Sequence, residues 1–390
     1  MLGRSFSRAC RSPGNQCESL CVEWELEKNE NGRGFVEMKG LILAGGTGSR
    51  LRPLTYTGAK QLLPVGNRPI LFYAVDDMVR AGVTDIGVVV GETAPLIEAA
   101  LGDGTQFECH FTYIPQEAPL GLAHAVKISQ LFLGTDPFLM VLGDNLLRGG
   151  VAPLVQRFQQ QHPAAAVLLT QIEDPRQFGV AVVEAGRVVR LVEKPEHPPS
   201  NLALVGAYCF DARIHEAVSS LRPSGRGELE ITDAIQWLVD HNEPVDAAEV
   251  TGWWKDTGRP EDVLDANRLI LDDLKSQNDG SVDADSQLTG RVAVATGAII
   301  EHSTIRGPAT IGEGAVIIDS YIGPYTSIGP RVHLRSVEIE LSVVLPDSRL
   351  ENIGERIDQS LIGQGVDVRG RQGRPKTVRL VLGDHSRIEI

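Results

Sequence analysis

Residues 40–66 read GLILAGGTGSRLRPLTYTGAKQLLPVG. The apolar run Leu41–Ala44 breaks directly into a turn holding Gly45, Gly46 and Gly48. Where no Cβ stands in the way, backbone amides can close on an anion, and a helix starting behind such a loop adds its positive end. A phosphate-gripping loop is therefore expected here. The dinucleotide fingerprint does not fit, because Leu51 stands where its third Gly belongs, and the Walker spacing is absent. Arg50, Arg52 and Lys60 put three cations within eleven residues, in a chain whose formal net charge is -14. Local charge opposes global charge, which reads either as an anion site or as a solvated basic face.

From Lys39 the chain alternates short apolar runs with helical patterns: KGLILA, PILFYAVDDMVRAG, TDIGVVV, APLIEAAL, CHFTYIP, GLAHAVKISQLFL and PFLMVLGD. Successive βα units of this kind build a parallel sheet covered by helices. Runs such as IGVVV and FLMVL suit strands buried on both faces. After Asp144 the strand candidates AAVLLTQI, GVAVVEAG, RVVRLVEKP and ALVGAYCFD precede helices near Arg213 and Glu230. This predicts a mixed, Rossmann-like α/β sheet with an inserted β-rich lobe.

A further helix begins near Arg259, and the polar stretch SQNDGSVDADSQ marks a boundary. Beyond it aliphatic residues recur six apart at Ile305, Ile311 and Ile317, then at Ile322, Ile328 and Leu334 after a one-residue slip. Such a period belongs to the flat walls of a prism-shaped β-helix, with a β-sandwich as the alternative. The period blurs after Leu334. The expected organisation is a catalytic domain over 38–276, a linker over 277–287 and a β-helix over 288–390.

Length and 42% hydrophobic content allow two cores. The acidic balance argues against nucleic acid, whose binding needs clustered cations. No apolar run of membrane-spanning length occurs, so no membrane partner is expected. Residues 1–37 are polar, Ser- and Arg-rich and lack a secretory apolar core, and are read as a disordered leader or as an upstream start in place of Met38. Cys10, Cys17 and Cys21 there lack a nearby fourth zinc ligand, and Cys109 and Cys209 fall in apolar runs, so a reducing cytoplasm fits better than a disulfide framework.

Asp144 ends FLMVLGD, where a side chain projects from the carboxyl edge of the sheet, and Asp256 lies far along the chain in WWKDTG. Two converging carboxylates beside a polyphosphate would suit Mg2+; taken singly, each also reads as a helix or turn cap. Trp253, Trp254 and His124 read as packing residues, and Glu228 and Glu230 as capping or structural acids. His302 and His333 raise the question of an acyl-transfer base in the repeat domain.

The segments GGTGSRLRPLT, KQLLPVGNRPI, QEAPLGLAHA, VLGDN, QFGV, VEKP, GELEITD and WWKDTG, in that order, resemble the glucose-1-phosphate thymidylyltransferases. The repeat tail resembles their long form, which ends in a left-handed β-helix. That resemblance implies a cytoplasmic homo-oligomer joining dTTP to glucose 1-phosphate with Mg2+. It implies that Gly45, Gly46, Thr47, Gly48 and Gln61 bind the nucleotide, with Arg50 on the departing pyrophosphate and Lys60 near the reacting phosphates. Gln116 and the Gly121 backbone would address the pyrimidine, and Asp144, which borders the nucleotide, and Asp256 would hold the metal. Gly179, Glu193, Lys194 and Val205 would line the sugar-phosphate pocket, Lys194 touching the phosphate. Phe178 and Val205 replace a Tyr and a Thr of other members. UTP as donor, a silent sugar-nucleotide sensor and a bifunctional acyltransferase stand as alternatives.

Overall fold

The computed structural model describes residues 38–370 and 384–388; the expected leader over 1–37, with its three cysteines, lies outside them. Nine strands form one mixed sheet: β1 (Lys39–Leu43), β2 (Asp85–Val90), β3 (His110–Pro115), β4 (Phe138–Leu142), β5 (Ala165–Gln171), β6 (Gly179–Glu184), β7 (Arg187–Glu193), β8 (Leu202–Phe210) and β9 (Val245–Glu249). Their spatial order is β3-β2-β1-β4-β8-β5-β9-β7-β6. The first four are mutually parallel, and β8 runs antiparallel to both β4 and β5. Strand alternation divides the side chains between two cores. Leu41, Leu43 and Met140 pack on one face with Phe138 and Phe210, while Ile42, Leu139 and Val141 pack on the other with Val88.

The inserted lobe is the hairpin β6–β7, turned by Ala185 and Gly186 at φ 49° and 77°, a pair of left-handed residues whose twist matches a two-residue hairpin. On the parallel side, β1 passes to β2 on one flank while β4 lies on the other. The connections leaving the carboxyl ends of β1 and β4 therefore part around a crevice, the position where open α/β sheets take ligands.

The repeat region forms three parallel sheets wound as the expected β-helix, of the left-handed, hexapeptide type. Each of the six spaced aliphatics occupies one wall. Ile305 stacks on Ile322, Ile311 on Ile328 and Ile317 on Leu334, all essentially inaccessible to water. The period does not end at Leu334: Ile339, Val344 and Leu350 continue the same three stacks. Corner turns of varying length hide this in a strict six-residue count.

One expected boundary is corrected. Residues 277–287 are not a linker, because Gln277–Asn278, Ser281–Val282 and Gln287–Thr289 pair in parallel with 293–294, 299–300 and 304–306 as the first coil of the β-helix. Polar outward side chains disguise a coil that has little core to cover at its open end. No helix among the described residues is long and apolar enough to cross a membrane.

Candidate active site

The glycine turn leaves β1 at the crevice, but no α-helix follows it. Behind the loop comes only a 3₁₀ turn, Ser49–Leu51, and the first α-helix starts at Ile70. The loop therefore has no α-helix N-terminus directly behind it, and the helix from Ile70 is the one expected over PILFYAVDDMVRAG, so side-chain cations and loop amides are left to meet an anion. Gly48 has φ 66°, and a Cβ there would sit 2.9 Å from the Lys60 Cβ, so the loop folds flat over the Lys60 side chain. A Cβ on Gly46 would come within 2.9 Å of Lys60 Cε, and one on Gly45 within 3.2 Å of Gln116 Oε1. Thr47 and Arg50 are exposed at the loop's rim, whereas Gln61 is buried beneath it. Arg52 points elsewhere, with its guanidinium 5.1 Å above the Tyr56 ring.

Asp144 follows β4 and Gly143, whose amide donates to Leu43 O at 3.0 Å, holding the carboxylate level with the glycine turn. It is only 8% exposed. Lys60 Nζ donates to its Oδ2, Asn145 Nδ2 to its Oδ1 at 3.1 Å, and Thr257 Oγ1 to its carbonyl at 2.8 Å. Asn145–Leu147 pairs antiparallel with Trp254–Asp256, placing Asp256 opposite Asn145 and beside Asp144. A Cβ built on Gly258 would stand 3.0 Å from Arg50 Nη2 and 3.3 Å from Asp256 Oδ2, so that cation and carboxylate face one another. Four charges separated by up to 206 positions in the chain thus meet in one crevice.

Their electrostatics are unequal. Burial acts to raise the Asp144 carboxyl, but the charge and hydrogen bond of Lys60 outweigh it and hold the group below its ordinary range. Asp256 is pushed up to about 6, first by burial and then by the negative Asp144, with Lys60 and Arg50 only partly compensating. The crevice therefore carries a repulsion between two carboxylates that Lys60 and Arg50 only partly relieve, and the metal-binding donors there are carboxylate oxygens. That set fits a hard divalent cation such as magnesium. Neither aspartate caps a helix: Asp256 ends a strand, and Arg259 holds the N-cap position of the next helix, Pro260–Leu271.

On one side of this centre Gln116 Nε2 lies 3.0 Å from His124 Nδ1 and 3.4 Å from Gly121 O. Gly121 has φ 103°, and a Cβ there would sit 2.3 Å from Leu229 O, so only glycine allows this turn. On the other side Glu193 pairs across the hairpin with Gly179, accepts from Thr232 Oγ1 at 3.1 Å and from Arg226 Nη2 at 3.0 Å, and has Lys194 Nζ at 3.7 Å. Burial raises its carboxyl. Lys194 lines an open cavity of ≈ 620 Å³ with Arg176, Gln177, Pro195 and Glu196.

A model of the nucleotidyl transferase family matches residues 39–273. The chain belongs to the nucleotidyl transferase family. It is 50% identical over 355 residues to a glucose-1-phosphate thymidylyltransferase of Streptomyces antibioticus, covering 90% of this chain and 99% of the relative. It is 47% identical over 358 residues to the low-salt glycan biosynthesis nucleotidyltransferase Agl11 of Haloferax volcanii, covering 90% of this chain and all of the relative. Among solved structures, a Bacillus anthracis protein assigned as a glucose-1-phosphate thymidylyltransferase matches at TM-score 0.58 and 38% identity, covering 62% of this chain and 98% of that one. A UDP-glucose pyrophosphorylase complexed with UDP-glucose matches at TM-score 0.54 and 27% identity, covering 60% and 98%.

Within this nucleotidyl transferase, most residues expected to act together are brought together, and some details differ. The Val205 side chain is fully buried in the sheet core, which leaves only its backbone to face a ligand. Glu230 stands at the N-cap position of the helix Ile231–Asp240 without capping it, because its carboxylate accepts from Ser224 and Arg226 at 2.8 Å each. Cys109 precedes β3 instead of lying in it. His302 and His333 are both exposed on the β-helix, His302 Nε2 standing 3.6 Å from Asp285. Two contacts were missed: His124, read as packing, touches Gln116, and Arg226 bridges Glu193 and Glu230; Trp254 packs as expected, its indole donating to Asn145 Oδ1 at 2.6 Å and its ring meeting Phe178 edge-on at 5.3 Å. For Arg226 the signal was available, as a cation directly ahead of the GELEITD run.

Proposed function

We propose that this chain transfers the thymidylyl group of dTTP to glucose 1-phosphate, releasing pyrophosphate and forming dTDP-glucose. The observation that carries this reading is the meeting of Asp144 and Asp256 with Lys60 and Arg50 at the mouth of a glycine turn. The similarity to the Streptomyces thymidylyltransferase over nearly its whole length supports the choice of substrates.

The chemistry requires no general base. The sugar-phosphate oxygen is already anionic near neutral pH and needs only to be held in line with the α-phosphorus. A new P–O bond forms there, the bond to the β-phosphate bridging oxygen breaks, and pyrophosphate leaves with that electron pair. Two anions must approach one another, so charge neutralisation dominates the barrier. Lys60 is placed to lie along the phosphates once they displace it from Asp144. Arg50, exposed at the rim, takes the pyrophosphate, and the amides of Gly45 to Gly48 supply uncharged donors. Asp144 and Asp256 would hold magnesium, which supplies positive charge to the triphosphate oxygens. Gln116, held by His124, presents its amide to the pyrimidine. Glu193 accepts from sugar hydroxyls, and Lys194, with Arg226 close by, meets the hexose phosphate.

Incubation with dTTP, glucose 1-phosphate and magnesium is expected to yield product of dTDP-glucose mass and one pyrophosphate per product. A folded sample that forms neither overturns the assignment. Running the same assay with UTP and with epimeric hexose 1-phosphates measures the preference for base and sugar.

A further inference from the structure

The segment carrying Arg50 and Lys60 is not backed by the sheet domain alone. Leu51, Leu63, Val65 and Ile70 form one buried cluster with Val263 and Ala266 of the helix Pro260–Leu271 and with Val343 and Leu345 of the β-helix. The segment ends in a tight hairpin, Pro64–Val65 paired with Arg68–Pro69, whose two turn residues, Gly66 and Asn67, have φ 58° and 62°. Both turn residues are held from outside. Asn67 Nδ2 donates to Ile328 O of the β-helix at 2.7 Å. The Gly66 amide donates to Asn267 Oδ1 at 2.9 Å. Asn267 is 1% exposed, also accepts from Ser327 Oγ at 2.6 Å, and donates to Tyr325 O at 3.0 Å. One buried amide therefore ties the loop's hairpin to two β-helix residues.

We infer that Asn267 is a positioning residue for nucleotide binding: it clamps the Gly66–Asn67 turn to the β-helix and so fixes the height of Lys60 over Asp144. Only Gln61, Leu62 and Leu63 separate Lys60 from this hairpin, and the Leu63 amide closes back on Lys60 O at 3.2 Å. Little slack remains between the clamp and the ammonium. The β-helix thereby becomes part of the nucleotide site without touching the nucleotide. The inference rests on the nucleotide role proposed above for this loop.

The test compares full-length wild type, Asn267→Ala and Ser327→Ala by hydrogen exchange without ligand and by steady-state kinetics. Amides between Gly46 and Leu63 are expected to exchange roughly tenfold faster in Asn267→Ala and several-fold faster in Ser327→Ala, because the local opening cost falls. The hairpin 179–193 is expected to exchange at the wild-type rate. The KM for dTTP should rise roughly tenfold while that for glucose 1-phosphate stays within twofold. Unchanged loop exchange, or equal acceleration in the loop and in 179–193, overturns the clamp. If Asn267→Ala does not fold, Ser327→Ala decides by the same criteria. A wild type without turnover contradicts the proposed reaction instead, and the exchange comparison still decides the clamp.

Discussion

At the scale of single residues, the site is held in a state that favours ligand over stability. With its pKa pushed up to about 6 against an ordinary value of 3.8, Asp256 binds its proton more tightly in the folded chain than in the unfolded one. The sign follows directly. Below about pH 4 both states are protonated and the group is neutral to stability; as pH rises through 4 to 6 the unfolded state ionises first, so stability is lost and stays lost above 6. Asp256→Asn removes that cost. The metal-free variant is therefore expected to melt higher than wild type at pH 7.5, by at most roughly 3 kcal/mol, with the difference closing towards pH 4. Turnover should fall in the same variant by roughly a hundredfold or more, since a well-aimed charge is lost. Equal melting at both pH values would place Asp256 away from the Asp144 charge. The corresponding change at Asp144 is a poorer probe, because it strands the partly buried Lys60 ammonium that Asp144 neutralises. Protons and magnesium compete for Asp256 in this picture, so the magnesium needed for half-maximal rate should fall as pH rises through about 6 and level off above it.

At the scale of elements, legibility followed periodicity. β1, β2 and β4, strands of five or six residues, were readable because their continuous apolar runs bury both faces. The β-helix was readable wherever successive coils kept six-residue steps; it was missed at 277–287, where polar side chains disguise the first coil, and its period blurred after Leu334, where corners change length. The shortness of the turn behind the glycine loop is written in SRLRPL, where Pro53 stops a helix that begins at Ser49 within one turn and forces Arg52 into an extended conformation. Asp144 and Asp256 stood out by their position at strand ends, whereas His124, Arg226 and Trp254 act through partners 8, 33 and 109 positions away that only the fold brings near. The stacked coils also carry a stability prediction. Ile317 is wholly buried between Ile300 and Leu334, so Ile317→Ala should cost about 2–5 kcal/mol in urea unfolding of the β-helix. A cost under about 0.5 kcal/mol, the level of a surface change, would contradict the inward stack.

At the scale of the whole molecule, two domains that look independent in sequence share a core. The glycine loop is packed on the sheet domain and anchored to the β-helix through Asn67 and Asn267. Charge is organised locally as well: in a chain of formal net charge -14, Arg50 and Lys60 stand beside Asp144 and Asp256 at one crevice, a pattern that suits a small anionic ligand over an extended polyanion such as nucleic acid. The proposed reaction depends on a shared ion between two carboxylates. The most direct measurement is anomalous diffraction from crystals holding Mn2+ and a non-hydrolysable dTTP analogue. The expected result is a peak bonded to both Asp144 and Asp256 and to triphosphate oxygens, with Lys60 moved from Asp144 onto the phosphates. A peak that leaves Asp256 unligated, or that appears only elsewhere, such as beside Asp283, Asp285 and His302, would contradict it.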